Sequence, residues 1–281
     1  MNVPQSNNAH VQLLACLLTL KDAIDPDDSY YRFLVDGKYV KYVTVAPGTL
    51  AGEEIDWSFA PILLGELLPY FPPGDWNNGY VAKDPETRKV TFIKTETESL
   101  AGVKNLWHPV KVNELDFTDK QSLRQRINVS RHPQLNSGKP VLTKIAVWPW
   151  ELEFMEAETT AYEAICGKDI GPKFLGHVTE GENGRVIGFV TEWIEDTRAA
   201  GPEDFESCRK ALGRLHALGI KLGDTNKFNF LVREGHDVVI VDFETAKKCS
   251  PGELEHEMNA LREFLEEPGF RGGSFFEDIT D

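Results

Sequence analysis

The chain has 281 residues and a formal net charge of −15, with 41% hydrophobic and 27% charged residues. These values are typical of a folded globular protein, so the composition excludes global disorder, and the length suits one large domain or two small ones. The acidic balance disfavours nonspecific binding to nucleic acid or to an anionic membrane, because phosphate contacts need clustered Lys and Arg. One local group of basic residues is interpreted as a solvated face: Lys120, Arg124, Arg126 and Arg131.

The amino-terminal segment contains a short apolar run from Val11 to Leu20. This run is too short to span a bilayer, and no Lys or Arg precedes it as in a signal peptide. We interpret it as a helix packed on the core. The four cysteines form no C-x-x-C pair, and the seven histidines add no metal-ligand spacing. Reduced thiols in a cytoplasmic protein are therefore expected.

The first 110 residues are predicted to form a β-rich accessory region that packs against the following domain. Tyr30 to Val45 alternates apolar and polar residues around an Asp-Gly turn, which predicts a β-hairpin. Ile55 to Tyr70 is typical of a short apolar helix, and the breaker Pro-Pro-Gly follows it. A second hairpin is expected from residues 80–82 and 89–94, which flank the turn at 84–87.

A strand and a helix are predicted next. Pro140 to Trp148 is rich in β-branched and apolar residues around Lys144, which indicates a strand. The segment from Glu151 to Gly167 has helix formers and a terminating glycine. A lysine in an apolar strand is costly to bury unpaired, so a carboxylate partner is expected. The candidate partners on the helix are Glu156, Glu158 and Glu163. The alternative is a snorkelling lysine beside a solvated acidic helix face.

Two more strands follow, joined by a Gly/Asn turn around Gly181 to Gly184. The second of them, Val186 to Trp193, ends in acidic residues. Near the carboxyl end, Pro251 to Leu265 is predicted to be a helix, with Ser250 as its N-cap and acidic residues in its first turn.

The stretch between Leu215 and Glu244 places two aspartates and an asparagine at spacings that suit metal-assisted phosphoryl transfer. Asp224 and Asn229 lie on one short polar loop, and a strand–turn–strand segment then delivers Asp242 at its end. Magnesium needs oxygen ligands, and an attacking hydroxyl needs an oriented proton acceptor. Asp224 can be the acceptor, while Asn229 and Asp242 can hold the metal. The alternative is a polar hairpin loop with incidental acids.

These residues resemble the protein-kinase superfamily, whose catalytic loop carries Asp with Asn five residues later, and whose second Asp opens a D-F-x segment. The elements read here G-D-T-N-K-F-N and D-F-E. The chain is most similar to short atypical members, such as aminoglycoside phosphotransferases and RIO-like and fungal kinase-like proteins. Leu222 stands where the family usually has His, so the catalytic loop must be supported differently. Asn226 replaces the Lys that the family carries two residues after the catalytic Asp. Glu244 replaces the glycine of D-F-G, which disfavours a conformational flip of this segment as a regulatory switch.

The resemblance implies roles for residues upstream of the loop. Lys144 would touch the nucleotide phosphates. Glu158 would be its partner, because similar proteins place an E-T-x-x-Y segment at this point. The backbone at Glu192, Trp193 and Ile194 would receive the adenine, since this strand leads into the hinge of the family's fold.

The fold implied by the resemblance is α+β and two-lobed, with a small lobe over about 111–193, a compact large lobe over about 194–281 and the β-rich amino-terminal extension. The implied activity is ATP- and Mg²⁺-dependent transfer of the γ-phosphoryl group to a hydroxyl. After Asp242 the chain has no room for a long activation segment, and it has no A-P-E element. A small molecule or a bound partner is therefore favoured as the acceptor over a regulated peptide substrate.

Two alternative functions stay open. The region expected to carry the glycine-rich phosphate loop, residues 115–133, contains no glycine. Either Lys144 and the metal hold the phosphates, or the chain is a pseudokinase that serves as a binding module. The core acids argue against the pseudokinase. A kinase fold used for nucleotidylation or acyl transfer is the other alternative, and nothing in the sequence specifically favours it.

Overall fold

The computed structural model describes residues 8–18, 27–50, 64–65, 67–233, 235 and 237–267. The protein is mixed α+β and divides into two compact units, Met1–Leu100 and Ala101–Asp281. This boundary lies before the one near residue 110 that the sequence suggested, because Val103 already belongs to the core of the second unit and its N–H donates to the Val186 carbonyl at 2.8 Å. Within the described part of the chain, no helix is long and apolar enough to cross a membrane.

The first unit contains a five-stranded sheet in which the strands follow chain order. Neighbouring strands are antiparallel, except for β3 and β4, which are parallel. The two predicted hairpins are confirmed, as β2 with β3 and β4 with β5. The strands are β1 (Val11–Leu17), β2 (Ser29–Val35), β3 (Tyr39–Val45), β4 (Asn78–Lys83) and β5 (Val90–Glu96).

The helix predicted over Val11 to Leu20 is wrong, because Val11–Leu17 forms the edge strand β1. It pairs antiparallel with β2, with a register shift between Leu13 and Ala15. A short apolar run does not by itself distinguish a strand from a helix. The free edge of β2 offers backbone hydrogen bonds, and these decide the conformation. The helix predicted over Ile55 to Tyr70 lies mostly outside the described residues.

The second unit contains a six-stranded sheet with the order β6-β10-β11-β9-β8-β7. All neighbours are antiparallel except β6 and β10. The predicted strand around Lys144 is confirmed as β9, and the predicted hairpin around Gly181 to Gly184 is confirmed as β10 and β11. The strands are β6 (Lys111–Asn113), β7 (Thr118–Arg124), β8 (Ile127–Arg131), β9 (Val141–Ile145), β10 (Phe174–Thr179) and β11 (Val186–Glu192).

Three described helices and several short strands complete this unit. The helices predicted after Lys144 and near the carboxyl end are confirmed, the latter with a capping box between Ser250 and Glu253. The helices are α1 (Leu152–Ile165), α2 (Phe205–His216) and α3 (Pro251–Glu266). Strands β12 (Arg198–Ala199), β14 (Phe230–Val232) and β15 (Val238–Ile240) form one sheet, and β13 (Ile220–Lys221) pairs with β16 (Lys247–Lys248).

One hydrophobic core joins the three helices of the second unit to its central strands. Its fully buried members include Phe189 of β11, Leu212 of α2 and Leu261 of α3. Leu222 and Phe243 also belong to this core and are fully buried. They lie next to the two predicted acidic segments, so the backbone beside Asp224 and Asp242 is held by close packing.

Candidate active site

A cavity of about 600 Å³ lies in the second unit, within the roughly 300–1,000 Å³ range of small-molecule sites. It brings together seven of the eight predicted site residues, which come from β9, α1, the end of β11, the polar loop and the segment after β15. Asp224 is not among the residues that line it. The seven are Lys144, Glu158, Glu192, Trp193, Ile194, Asn229 and Asp242.

Lys144, one of the residues that line the cavity, is buried and has only 3% of its surface exposed. Its Nζ lies 2.8 Å from Glu158 Oε2, 2.7 Å from Asp242 Oδ1 and 3.0 Å from Glu244 Oε1. The contact with Asp242 is a hydrogen bond, and the contacts with Glu158 and Glu244 are ion pairs. Burial by itself would lower the pKa of Lys144, but the three carboxylates outweigh it and raise the pKa above its usual value. Lys144 is therefore charged.

Glu158 joins the lysine to the D-F-E segment. This side chain projects from α1 and is 2% exposed, and its Oε1 accepts the N–H of Phe243 at 3.1 Å. Burial raises the pKa of Glu158 to about 7, and the Lys144 ammonium acts in the opposite direction. One carboxylate thus fixes both the lysine of β9 and the backbone that follows Asp242.

The two other glutamates considered as partners of Lys144 lie elsewhere. Glu156 Oε1 accepts the backbone N–H of Asn105 at 3.1 Å, and Glu163 Oε2 accepts from Asn105 Nδ2 at 2.8 Å. Both therefore tie α1 to the segment before β6. The structure places Glu158 alone of the three beside the lysine.

Asp242 stands two residues after β15 in a left-handed backbone conformation, with φ of 62°. This conformation is uncommon for a residue other than glycine, although aspartate tolerates it better than most. The turn lets the Asp242 carboxylate face Lys144 while the Phe243 ring enters the core. Oxygen atoms of Glu158, Asp242 and Glu244 all lie within 4.8 Å of one another. Three such carboxylates offer the hard oxygen ligands that a divalent cation such as Mg²⁺ takes.

Glu244, the last residue of the D-F-E segment, contacts Arg126 as well as Lys144. Arg126 stands in the two-residue turn between β7 and β8, and its Nη2 donates to Glu244 Oε1 at 2.8 Å. Its Nε lies 3.5 Å from Glu151 Oε1. The interpretation of Arg126 as part of a solvated face is therefore wrong. No local pattern indicated this contact, because 118 positions separate the two residues in the chain.

The polar loop is coupled to the strand that precedes Asp242. The buried Asn229 donates from Nδ2 to the backbone carbonyl of Asp224 at 3.0 Å. The backbone carbonyl of Asn229 accepts the N–H of Val241 at 3.0 Å. Asp224 is only partly buried, and its carboxylate forms no hydrogen bond with the described residues.

Support for the loop comes from α3, where Glu257 contacts the backbone just before Asp224. The sequence did not single out Glu257, because a buried acid on an amphipathic helix has no local signature.

A scan against protein-family models and a search of curated proteins find no match for this chain. Function must therefore be inferred from the geometry of the site.

Proposed function

We propose that the second unit is an ATP- and Mg²⁺-dependent phosphotransferase with a two-lobed kinase-like fold, which moves the γ-phosphoryl group to a hydroxyl of a small molecule or a bound partner. One observation carries this proposal. The buried Lys144 of β9 pairs with Glu158 of α1, and both open on the cavity that Asn229 and Asp242 line. This convergence of residues that are far apart in the sequence supports the proposal.

The nucleotide base would lie against the segment that follows β11. Glu192, Trp193 and Ile194 line the cavity there, and the backbone of this segment would receive the adenine. The apolar side chains of Leu142 of β9 and Leu231 of β14 also line the cavity. A planar base would gain hydrophobic contact from them.

Asn229 and Asp242 fit the role of magnesium ligands. Asn229 lines the cavity and donates from Nδ2 to the Asp224 carbonyl, so its Oδ1 takes no part in that bond and can serve as a metal ligand. The Asp242 side chain is 29% exposed, the most exposed of the three acids around Lys144. When bound, magnesium would neutralise charge on the nucleotide phosphates.

Lys144 would hold phosphate oxygens once a nucleotide enters. Its ammonium already faces three carboxylates, so a phosphate must displace at least one of them. Asp242 is the natural one to move, since it would turn toward the metal. Glu158 would stay, because it is almost fully buried and also fixes the backbone of Phe243.

Asp224 would orient the acceptor and take its proton. The hydroxyl oxygen forms a bond to the γ-phosphorus, the bond from that phosphorus to the β–γ bridging oxygen breaks, and ADP leaves. The proton passes to the Asp224 carboxylate. Positioning and charge neutralisation supply most of the catalysis in such reactions.

The test is ligand-dependent thermal stabilisation, with ATP and Mg²⁺ each alone and together. We expect a shift of several degrees only with both ligands, because saturation at about 100 times Kd adds about 2.7 kcal/mol. Asp242→Ala should lose this shift. Glu195→Ala, which removes an exposed acid that also lines the cavity, should keep it.

The thermal shift, followed by identification of the released product, separates the alternative functions. No stabilisation under any condition would contradict nucleotide binding and favour a pseudokinase or scaffold. Where stabilisation is seen, release of ADP supports phosphoryl transfer, whereas release of pyrophosphate would identify nucleotidylation.

A further inference from the structure

Glu257 is a buried acid of α3 that binds three N–H donors. Its Oε1 accepts the backbone N–H of Gly223 at 2.6 Å, and its Oε2 accepts the N–H of Leu222 at 3.0 Å. The same Oε2 lies 2.7 Å from His216 Nε2, at the carboxyl end of α2. An ionised carboxylate only accepts hydrogen bonds, so this His216 nitrogen carries the proton. Glu257 is 8% exposed.

The two backbone donors are consecutive and stand directly before Asp224. The opposite side of the same segment is also held, because Thr245 Oγ1 donates to the Leu222 carbonyl at 2.8 Å. Gly223 has φ of 86°, and a Cβ at this position would meet Thr245 Oγ1 at 2.7 Å. The chain before Asp224 is therefore clamped between α3 and the segment that follows the D-F-E motif.

This clamp compensates for the side chain at position 222. Leu222 is fully buried and has no polar atom with which to hold the loop. Burial would raise the pKa of Glu257, but the hydrogen bonds from His216, Gly223 and Leu222 outweigh it and hold the pKa below its usual value. The carboxylate is thus ionised and accepts bonds that a neutral acid would make less strongly.

We propose that Glu257 is a positioning residue, whose carboxylate fixes the backbone of Leu222 and Gly223 so that Asp224 presents its own carboxylate to the acceptor. The inference rests on the proposed phosphotransferase function. Glu257 is not among the residues that line the nucleotide cavity. It acts through the orientation of the loop, which would affect transfer far more than nucleotide binding.

The test compares Glu257→Gln with Glu255→Gln, the same change at an exposed position of the same helix. The first readout is magnesium-dependent ATP hydrolysis, with water as the acceptor. We expect Glu257→Gln to lower kcat by about 10- to 100-fold while KM for ATP changes less than about twofold. Glu255→Gln should match the wild-type protein in both constants.

The second readout is amide hydrogen exchange of the full chain without ligands. Glu257→Gln should speed exchange at Leu222 and Gly223, because an amide NH₂ in place of one carboxylate oxygen faces a backbone donor. Unchanged exchange at these two amides would overturn the proposal, as would an unchanged kcat. His216→Ala, which keeps the carboxylate and removes one donor, should give a smaller effect of the same kind and guards against misfolding of the first variant.

The two readouts separate this inference from the proposed function. A wild-type protein without Asp224-dependent hydrolysis would contradict the phosphotransferase. In that case hydrogen exchange still decides whether Glu257 holds the loop, since faster exchange supports the clamp and unchanged exchange refutes it.

Discussion

Two buried ionic clusters in the second unit are built in opposite ways. At Lys144, one ammonium faces three carboxylates within 3.0 Å. At Glu257, one carboxylate receives three N–H donors, two of which belong to the backbone. The first cluster has more negative than positive charge and opens on a cavity of about 600 Å³. In the second cluster, both carboxylate oxygens accept hydrogen bonds from the protein.

This difference indicates how the two clusters are used. The three carboxylates around Lys144 lie beside a cavity, where a bound divalent cation would relieve the repulsion among them. A carboxylate whose donors are mostly backbone N–H groups fixes the part of the chain that supplies those donors. Asp224 lies between them, on the loop that Glu257 holds and next to the Asn229 that lines the cavity.

The largest effect should come from Asp224→Asn, which removes the proposed proton acceptor without changing a residue of either cluster. We expect turnover to fall by about 10²- to 10⁴-fold, the usual contribution of general base catalysis. Nucleotide binding should survive, as measured by thermal shift with ATP and Mg²⁺. Asp237→Asn, at an exposed position of the β14–β15 turn, is the matched control and should leave turnover unchanged. Equal loss of binding and turnover in Asp224→Asn would instead indicate misfolding.

The next effect concerns the free energy of unfolding and tests whether the Lys144 ammonium compensates the buried carboxylate of Glu158. Lys144→Met leaves the Glu158 carboxylate buried without its cation, so unfolding should become easier by about 3–5 kcal/mol. The paired replacement of Lys144→Met with Glu158→Leu should recover much of this loss, because an apolar pair of similar volume substitutes well for a buried ion pair. Equilibrium unfolding in urea measures both. A double variant no more stable than the single one would contradict this view of the cluster.

A smaller effect is expected at Glu244, where the direction of the change in ATP·Mg²⁺ affinity distinguishes two roles of this side chain. If Glu244 competes with phosphate for Lys144 and Arg126, then Glu244→Gln should tighten ATP·Mg²⁺ binding by up to about tenfold, about 1.4 kcal/mol. Calorimetric titration at fixed Mg²⁺ measures this, with Glu195→Gln as a control in the same cavity. Weaker binding in Glu244→Gln would show instead that Glu244 helps to hold the metal.

Much of the fold could be predicted because its signals are local. The strand of Lys144, the hairpins and the capped α3 all follow from alternation, turn residues and caps within a few positions. The edge strand β1 was mistaken for a helix because its partner β2 lies outside any local window. Pairing across a sheet edge is a tertiary effect, and it overrides the pattern of a short apolar run.

The candidate site divides in the same way. Motif spacing predicted Asp224, Asn229 and Asp242, and an apolar strand that needs a counter-ion predicted a carboxylate for Lys144. Arg126 and Glu257 could not be found from spacing. Glu244 lies 118 positions from Arg126, the partners of Glu257 lie 34–41 positions from it, and only the packed chain brings these residues together.

The smallest effect should separate the two clusters by pH. Glu257 has a pKa held below its usual 4.5, so its contribution to stability is complete above pH 4.5 and is lost as the pH falls through the lower folded value. Lys144 has a raised pKa, so its contribution is complete below its usual 10.5 and is lost only as the pH rises above that value. Glu257→Gln should therefore flatten the acid side of the stability profile, and Lys144→Met the alkaline side. Urea midpoints measured across pH would test this, and flattening on the same side in both variants would mean that the clusters are not independent.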